Sequence, residues 1–372
     1  MIHTETKADY STNTNKMSVI TPEIQSLIDP VVSGLKRHQI VGDKVIALAI
    51  CHLLMKVISA ARWTNPYDLI NIIRKVGTIL NTGYPKKIIS GNIVRRVLAL
   101  IRDEIETENN DNTPMMSSMF SLLSTNSTGN QKVQYNQSKK QSSDFRSIII
   151  QGIRDLEDEI ANVNEGIETM SVDLIHDNEI LLTPTPTSET VLQFLIKARA
   201  KRKFTVLVTE SFPNDINTSH KFVKKLAENK IETILIPDST VYAVMSRVGK
   251  VIIGSSAVFA NGGCLSNSGV THVVECAKEH RTPVFALAGL YKLSPLYPFN
   301  GDDLIEVGNS GKVLNYDDFK LIENVEIVTN PLDDYISPEH IDIYITNVGG
   351  FAPSFIYRIV LDNYKTEDNN LE

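Results

Sequence analysis

Cysteine is scarce: Cys51, Cys264 and Cys276 are the only three in 372 residues, and none forms a close CxxC pair. A disulfide framework or a zinc ribbon needs more thiols at closer spacing, and this usage fits a reducing compartment. Long apolar runs are missing too. No stretch is long enough to span a bilayer, and the polar start MIHTETKADYSTNTNKMS lacks the apolar segment of a secretory signal. There is no basic excess: 37 Lys and Arg stand against 44 Asp and Glu, a net charge of −7. That balance argues against nucleic acid as a main partner. Neither GxGxxG nor GxxxxGK followed by Ser or Thr occurs, which excludes the dinucleotide fingerprint and the P-loop. The expectation is a cytosolic protein without a cofactor, a metal, a membrane anchor or direct nucleic-acid contact.

One further absence is local. The run VIIGSSAVFANGGCLSNSGV (251–270) reads as a buried strand opening into a small, polar, glycine-rich loop. In a parallel α/β sheet, that is where ligands bind and chemistry happens. Yet the loop contains no Asp, Glu, Lys, Arg or His. An active-site shape without proton-transferring groups favours a scaffold or regulator over an enzyme.

Length predicts two domains, and 42% hydrophobic residues suffice for their cores. Residues 1–17 read as a disordered start and 18–177 as a helical domain. Thr21-Pro22-Glu23 and Asn65-Pro66 each combine an N-cap with a proline in the first turn. Asp43 is placed to cap a second, strongly apolar helix, and Pro85 precedes another. Between 107 and 143 the composition turns to Asn, Ser, Gln and Thr without a period, which reads as an insertion. Beyond it, Ile149, Ile153, Leu156, Ile160, Val163, Ile167, Met170 and Leu174 form a heptad seam. Packing on its own bundle is the simpler account, with an intermolecular coiled coil as the alternative.

From 178 to 372 the period changes. The apolar runs 179–183, 204–210, 231–236, 250–254, 283–289 and 342–346 alternate with helical stretches near 188–200, 218–229, 240–248 and 269–280. This predicts a Rossmann-like, doubly wound parallel sheet behind an N-terminal helical bundle, an α/β protein. Gly349-Gly350 reads as a turn before a last helix. Its Phe355, Ile356, Ile359 and Val360 exceed what a surface helix needs, so the sequence predicts an association face there.

Candidate site residues are few. Thr185, Thr187 and Ser188 follow the first strand and precede a helix, where hydroxyls and N–H groups hold phosphate. Capping by Thr187 or Ser188 is the simpler account, and Pro184 and Pro186 remove backbone donors from the loop. Cys264 has no neighbouring base in sequence and reads as a small buried thiol. His272, Cys276 and His280 are too few and too scattered to read as a metal site. The cations Lys197, Arg199, Lys201, Arg202 and Lys203 end a helix, where its dipole and solvent account for them.

The run from Glu179 onward resembles the family that joins methylthioribose-1-phosphate and ribose-bisphosphate isomerases to the regulatory subunits of eukaryotic translation initiation factor 2B. The resemblance rests on VYAVMSRVGKVIIGSSAVFANG, TPVFALAGLYKLSPLYPF and ITNVGGFAPSFIYRIVLDNY, which agree in order and spacing and look most like the beta-type regulatory branch. It extends more loosely through the helical half. The isomerases of that family use a cysteine and an aspartate, and by resemblance those places fall on Thr185 and Ser256. Their later Asn-Lys pair falls on Ser266 and Asn267, while Ala260-Asn261-Gly262 survives. The resemblance thus implies a vestigial pocket of Thr185, Thr187, Ser188, Ser256, Asn261 and Gly262, in a non-catalytic subunit of the guanine-nucleotide exchange factor for initiation factor 2. It implies a delta-type partner through the α/β domain, further alpha, gamma and epsilon partners, and initiation factor 2 itself, especially its alpha subunit. A sugar-phosphate isomerase and a metabolite-binding sensor are the alternatives.

Overall fold

The computed structural model describes residues 20–63, 65–109, 142–299, 304–317, 323, 325 and 327–371. Residues 1–17 and most of the 107–143 segment lie outside the described residues. The described ends show helix continuing through 107–109 and already under way at 142–143.

Among the described residues, five helices come first: α1 Pro22–Lys36, α2 Asp43–Ala60, α3 Pro66–Gly83, α4 Ile88–Asn109 and α5 Ser142–Leu174. Thr21 caps α1 by accepting from the Ile24 N–H at 3.5 Å, and Asn65 caps α3 by accepting from Tyr67 at 3.0 Å. Asp43 is not a cap. Gly42 takes that position with no side-chain bond, and the Asp43 carboxylate pairs instead with Lys292, 2.9 Å away.

The seam on α5 is used twice inside the chain. Ile149, Ile153, Leu156, Ile160 and Val163 are buried in the helical core with α2 and α4. Ile167 enters a different core, beneath the sheet, with Met170 and Leu174 at its margin. This 33-residue helix therefore belongs to both halves, which accounts for a heptad pattern longer than one bundle needs.

The main sheet has β1 Glu179–Thr183, β2 Phe204–Thr209, β3 Glu232–Ile236, β4 Lys250–Gly254, β7 Val284–Leu287, β10 Ile343–Thr346 and β11 Gly349–Phe351. Its order is β11-β10-β7-β4-β1-β2-β3, and every pair is parallel except β10 with β11. The connecting helices are α6 Glu189–Arg199, α7 Ile216–Glu228, α8 Val241–Met245, α9 Val270–His280 and α10 Ile356–Asn363. Successive strand residues point to opposite faces: Leu181, Val206 and Ile252 pack with α5, α6 and α7, whereas Leu182, Leu207, Val251 and Ile253 pack with α8, α9 and α10. The sheet is doubly wound, as the alternation of strand and helix predicts.

Three further expectations need correction. The polar loop after β4 is a second, four-stranded sheet of order β8-β5-β6-β9, from β5 Ala257–Phe259, β6 Cys264–Asn267, β8 Leu293–Ser294 and β9 Asp333–Ile336. Gly349-Gly350 is likewise the start of a strand, and the last helix is no spare apolar face. Ile356, Ile359 and Val360 are buried against the sheet, and only Phe355 of the four named residues is exposed.

After α10 the chain turns back as a strap across α3 and α4. The Asp368 carboxylate, fully buried, accepts from Arg74 at 2.8 Å and Arg102 at 2.7 Å. Arg95 Nε donates to the carbonyls of Asp368 and Asn369 at 3.2 Å, and the Thr78 hydroxyl to that of Leu371 at 2.8 Å. The Leu371 side chain is buried in the helical core, and the Tyr364 hydroxyl, at the start of the strap, donates to Leu293 O at 2.6 Å. Breaking a buried ion pair from one side leaves uncompensated charge. Asp368→Ala is expected to cost about 3–5 kcal/mol in urea unfolding; a loss below about 1 kcal/mol would mean that solvent replaces the carboxylate.

Candidate functional site

The winding reverses between β1 and β4: the helix after β1 packs on one face, and α9, which follows β4 through β5 and β6, on the other. Such a switch point opens a crevice at the carboxyl ends of the strands. Here the crevice is a cleft of about 800 Å³, closed on its far side by the helical half. Thr187, Ser188, Ser256 and Asn267 line one wall, Asp43, Tyr84 and Lys87 the other, with Lys292, Glu306 and Asp333 between them.

The hydroxyls in this cleft are engaged in structure. Ser188 accepts from the Val191 N–H at 3.3 Å, capping α6, and Thr187 accepts from the Asn267 amide at 2.7 Å. Thr185 is fully buried and its oxygen accepts from Gly254 N–H at 2.9 Å, tying the β1 loop to the end of β4. The cap of α6 packs so closely on the end of β4 that a Cβ on Gly254 would stand 2.4 Å from Ser188 Oγ. Ser256 donates to Leu265 O at 3.2 Å and Ser266 to Gly254 O at 2.6 Å. Thr185 thus lies beneath the cleft, not in its wall.

Asn261 and Gly262 lie outside it altogether. They form the β5–β6 turn: the Asn261 amide donates to the Tyr335 hydroxyl at 2.8 Å, and Gly262 O accepts from the Tyr344 hydroxyl at 2.8 Å. Of the six pocket candidates, the structure brings together Thr187, Ser188 and Ser256 as cleft lining.

The expectation of a site bare of ionisable groups holds for the loop and fails for the cleft. Lys292 is buried, with Nζ 2.9 Å from Asp43 and 2.7 Å from Ser255 O. Burial works against its charge, but Asp43 and Tyr291 outweigh it and hold the proton more tightly than in an ordinary lysine. Glu306 loses by burial and gains more from the Tyr84 hydroxyl at 2.7 Å and Lys87 at 3.3 Å, so its carboxyl stays below the usual range. Asp333 is pushed up, first by burial and then by Glu306 and Asp43, against the pull of Lys87. Each cleft lysine named here already faces a carboxylate, so the cleft neutralises much of its own charge. These groups come from segments scattered between residues 43 and 333, and no local spacing announces them.

The thiols offer no nucleophile. Cys264 is fully buried in β6, and burial pushes its pKa up to about 12. His272 and Cys276 share a helix face, with Nε2 and Sγ 3.9 Å apart. Among the described residues no three His, Cys, Asp or Glu side chains are grouped to hold a metal. The cationic run ends α6 as expected: Arg199 donates to the carbonyls of Lys230 and Arg202, and Arg202 pairs with Asp177.

Comparison with known proteins gives a consistent result. The model of the initiation factor 2 subunit family matches residues 39–353. Translation initiation factor eIF2B subunit beta of Schizosaccharomyces pombe is 37% identical, over 94% of this chain and 98% of the relative. The solved tetrameric eIF2B-beta2-delta2 complex from C. thermophilum contains a chain 29% identical at a TM-score of 0.69, covering 92% of this chain and 95% of that one. Ribose 1,5-bisphosphate isomerase of Archaeoglobus fulgidus is 31% identical, but over 47% of this chain and 55% of the enzyme.

A hydroxyl that is buried and bonded to a backbone N–H, as Thr185 is, cannot shuttle protons near neutral pH without an activating base. The purified chain is expected to leave ribose 1,5-bisphosphate unchanged in a coupled isomerase assay. Turnover that scales with protein concentration would return the cleft carboxylates, Asp333 first, to a catalytic role.

Proposed function

Because the chain belongs to the initiation factor 2 subunit family, we propose that it is a non-catalytic regulatory subunit of the guanine-nucleotide exchange factor for initiation factor 2. The observation that carries this reading is the 37% identity to a beta subunit over almost the full length of both chains. The half-length match to the isomerase fits a shared fold with a divergent use.

On this reading the chain works in the cytosol, without a cofactor and without direct nucleic-acid contact. It assembles with the other subunits of the factor and meets a delta-type neighbour through its α/β domain, which accords with the beta2-delta2 assembly of the solved relative. Together they grip initiation factor 2 and respond to phosphorylation of its alpha subunit. Phosphorylation adds nearly two negative charges to that partner, so a surface that reads it must gain or lose specific contacts. The helical half and the adjoining edge of the α/β domain supply that surface.

The cleft favours a second reading of the same subunit. A volume of about 800 Å³ at a switch point, lined by charged groups of both signs, suits a small polar metabolite held without turnover.

Charge-reversal substitutions at exposed positions of the helical half, screened first for intact assembly, test the regulatory role. Some are expected to change the exchange rate several-fold, or its sensitivity to phosphorylated substrate, while leaving the complex whole. If every assembly-competent variant matched wild type in both assays, the chain would be a scaffold only.

A further inference from the structure

Helices α6 and α7 lie side by side on the sheet face that α5 also covers. Arg199 at the end of α6 donates to Lys230 O, just beyond α7, at 2.8 Å, and Lys225 of α7 stands 3.9 Å from Glu189 of α6. The charge of this surface departs from that of the chain as a whole. Over residues 189–203 and 216–230, nine Lys and Arg stand against two carboxylates, Glu189 and Glu228, whereas the whole chain has 37 against 44.

The helix dipole accounts for only part of this. It favours cations in a last turn, which covers Lys197 and Arg199 on α6 and Lys225 on α7. Lys221 and Lys224 lie before that turn. Lys224 and Lys225 follow Lys221 by three and four residues, so the three repel one another along one side of the helix. The opposite side, with Phe222 and Leu226, is buried in the core. Lys197, Lys201, Lys221, Lys224 and Lys230 are all exposed, and none has an ion-pair partner among the described residues. The two arginines are engaged, Arg199 with carbonyls and Arg202 with Asp177.

The chemistry of the surface selects its partner. Its free cations are all lysines, flexible point charges that suit single carboxylates, whereas phosphate recognition favours the arginine fork. Neither helix exposes a Phe, Tyr or Trp, since Phe194 and Phe222 are buried, so single-stranded nucleic acid finds no ring to stack on. The exposed neighbours Ala200, Asn217 and Ala227 are too small or too polar to anchor in lipid. A polypeptide with successive Asp and Glu side chains can meet lysines on both helices, which pack about 10 Å apart.

We propose that the outer face of α6 and α7 is a docking surface for an acidic polypeptide segment, with Lys197 and Lys201 on one side and Lys221 and Lys224 on the other. None of these lysines lines the switch-point cleft, and the proposal does not depend on the subunit's role in nucleotide exchange.

Fluorescence anisotropy of fluorescein-labelled deca-glutamate, titrated with the full chain, tests it. A chain of net charge −7 repels such a peptide as a whole, so binding can come only from a local cationic surface. Saturable binding is expected, weakened several-fold when NaCl is raised from about 50 to about 200 mM. Lys197→Gln, Lys221→Gln and Lys224→Gln together should weaken it by about tenfold or more, and Lys197→Glu, Lys221→Glu and Lys224→Glu together should abolish it. Lys36→Glu, Arg37→Glu and Lys56→Glu make the same change in net charge at exposed positions of the helical half; binding there should stay within about twofold of wild type. Absence of saturable binding up to about 0.5 mM protein, binding unchanged by the three Gln substitutions, an equal loss in the helical-half variant, or tighter binding of an oligouridylate of the same length would each overturn the proposal.

Discussion

The buried Asp368 carboxylate, held between Arg74 and Arg102, is the interaction on which the arrangement of the two halves depends. It brings the end of the α/β half onto helices α3 and α4. Around it the strap adds the seating of Leu371 in the helical core and the carbonyl bonds to Arg95 and Thr78. Other ties between the halves lie in the cleft itself: Lys292 with Asp43, and Tyr84 and Lys87 with Glu306. A crevice with walls from both halves keeps its shape only while these hold. Helix α5, buried in the helical core at one end and under the sheet at the other, gives the same junction a covalent spine.

The cleft has the position of an enzyme's active site and the internal bonding of a structural joint. Its hydroxyls cap a helix, tie β1 to β4, or brace the small sheet. Lys87 and Lys292 are matched by carboxylates, which leaves less of their charge to polarise a substrate. An enzyme-like position combined with structural bonding accords with the non-catalytic subunit proposed above.

The sequence disclosed what depends on near neighbours. The caps at Thr21 and Asn65, the seam on α5 and the alternation of strands with helices are all set within a few residues, and each appears in the structure. Legibility failed where the partner is remote. Strand β6 looked like loop because its residues are small and polar, yet it pairs with the remote strand β9, Cys264 opposite Ile336. Asp368 sits in an unremarkable polar tail, and its partners Arg74 and Arg102 are 294 and 266 residues away. Of the site residues, Thr187 and Ser188 could be placed because the strand-to-helix turn fixes them. Asn261-Gly262 carried the family resemblance but serves a turn, and Lys292 and Asp333 gave no local sign of belonging to the cleft.

Reconstitution of the exchange factor with and without this chain tests the central claim most directly, reading nucleotide release from initiation factor 2 with its alpha subunit unphosphorylated and phosphorylated. The account predicts that omission slows exchange and abolishes the difference between the two substrates, and that adding the chain back restores both. Equal rates and equal discrimination with and without the chain would contradict it.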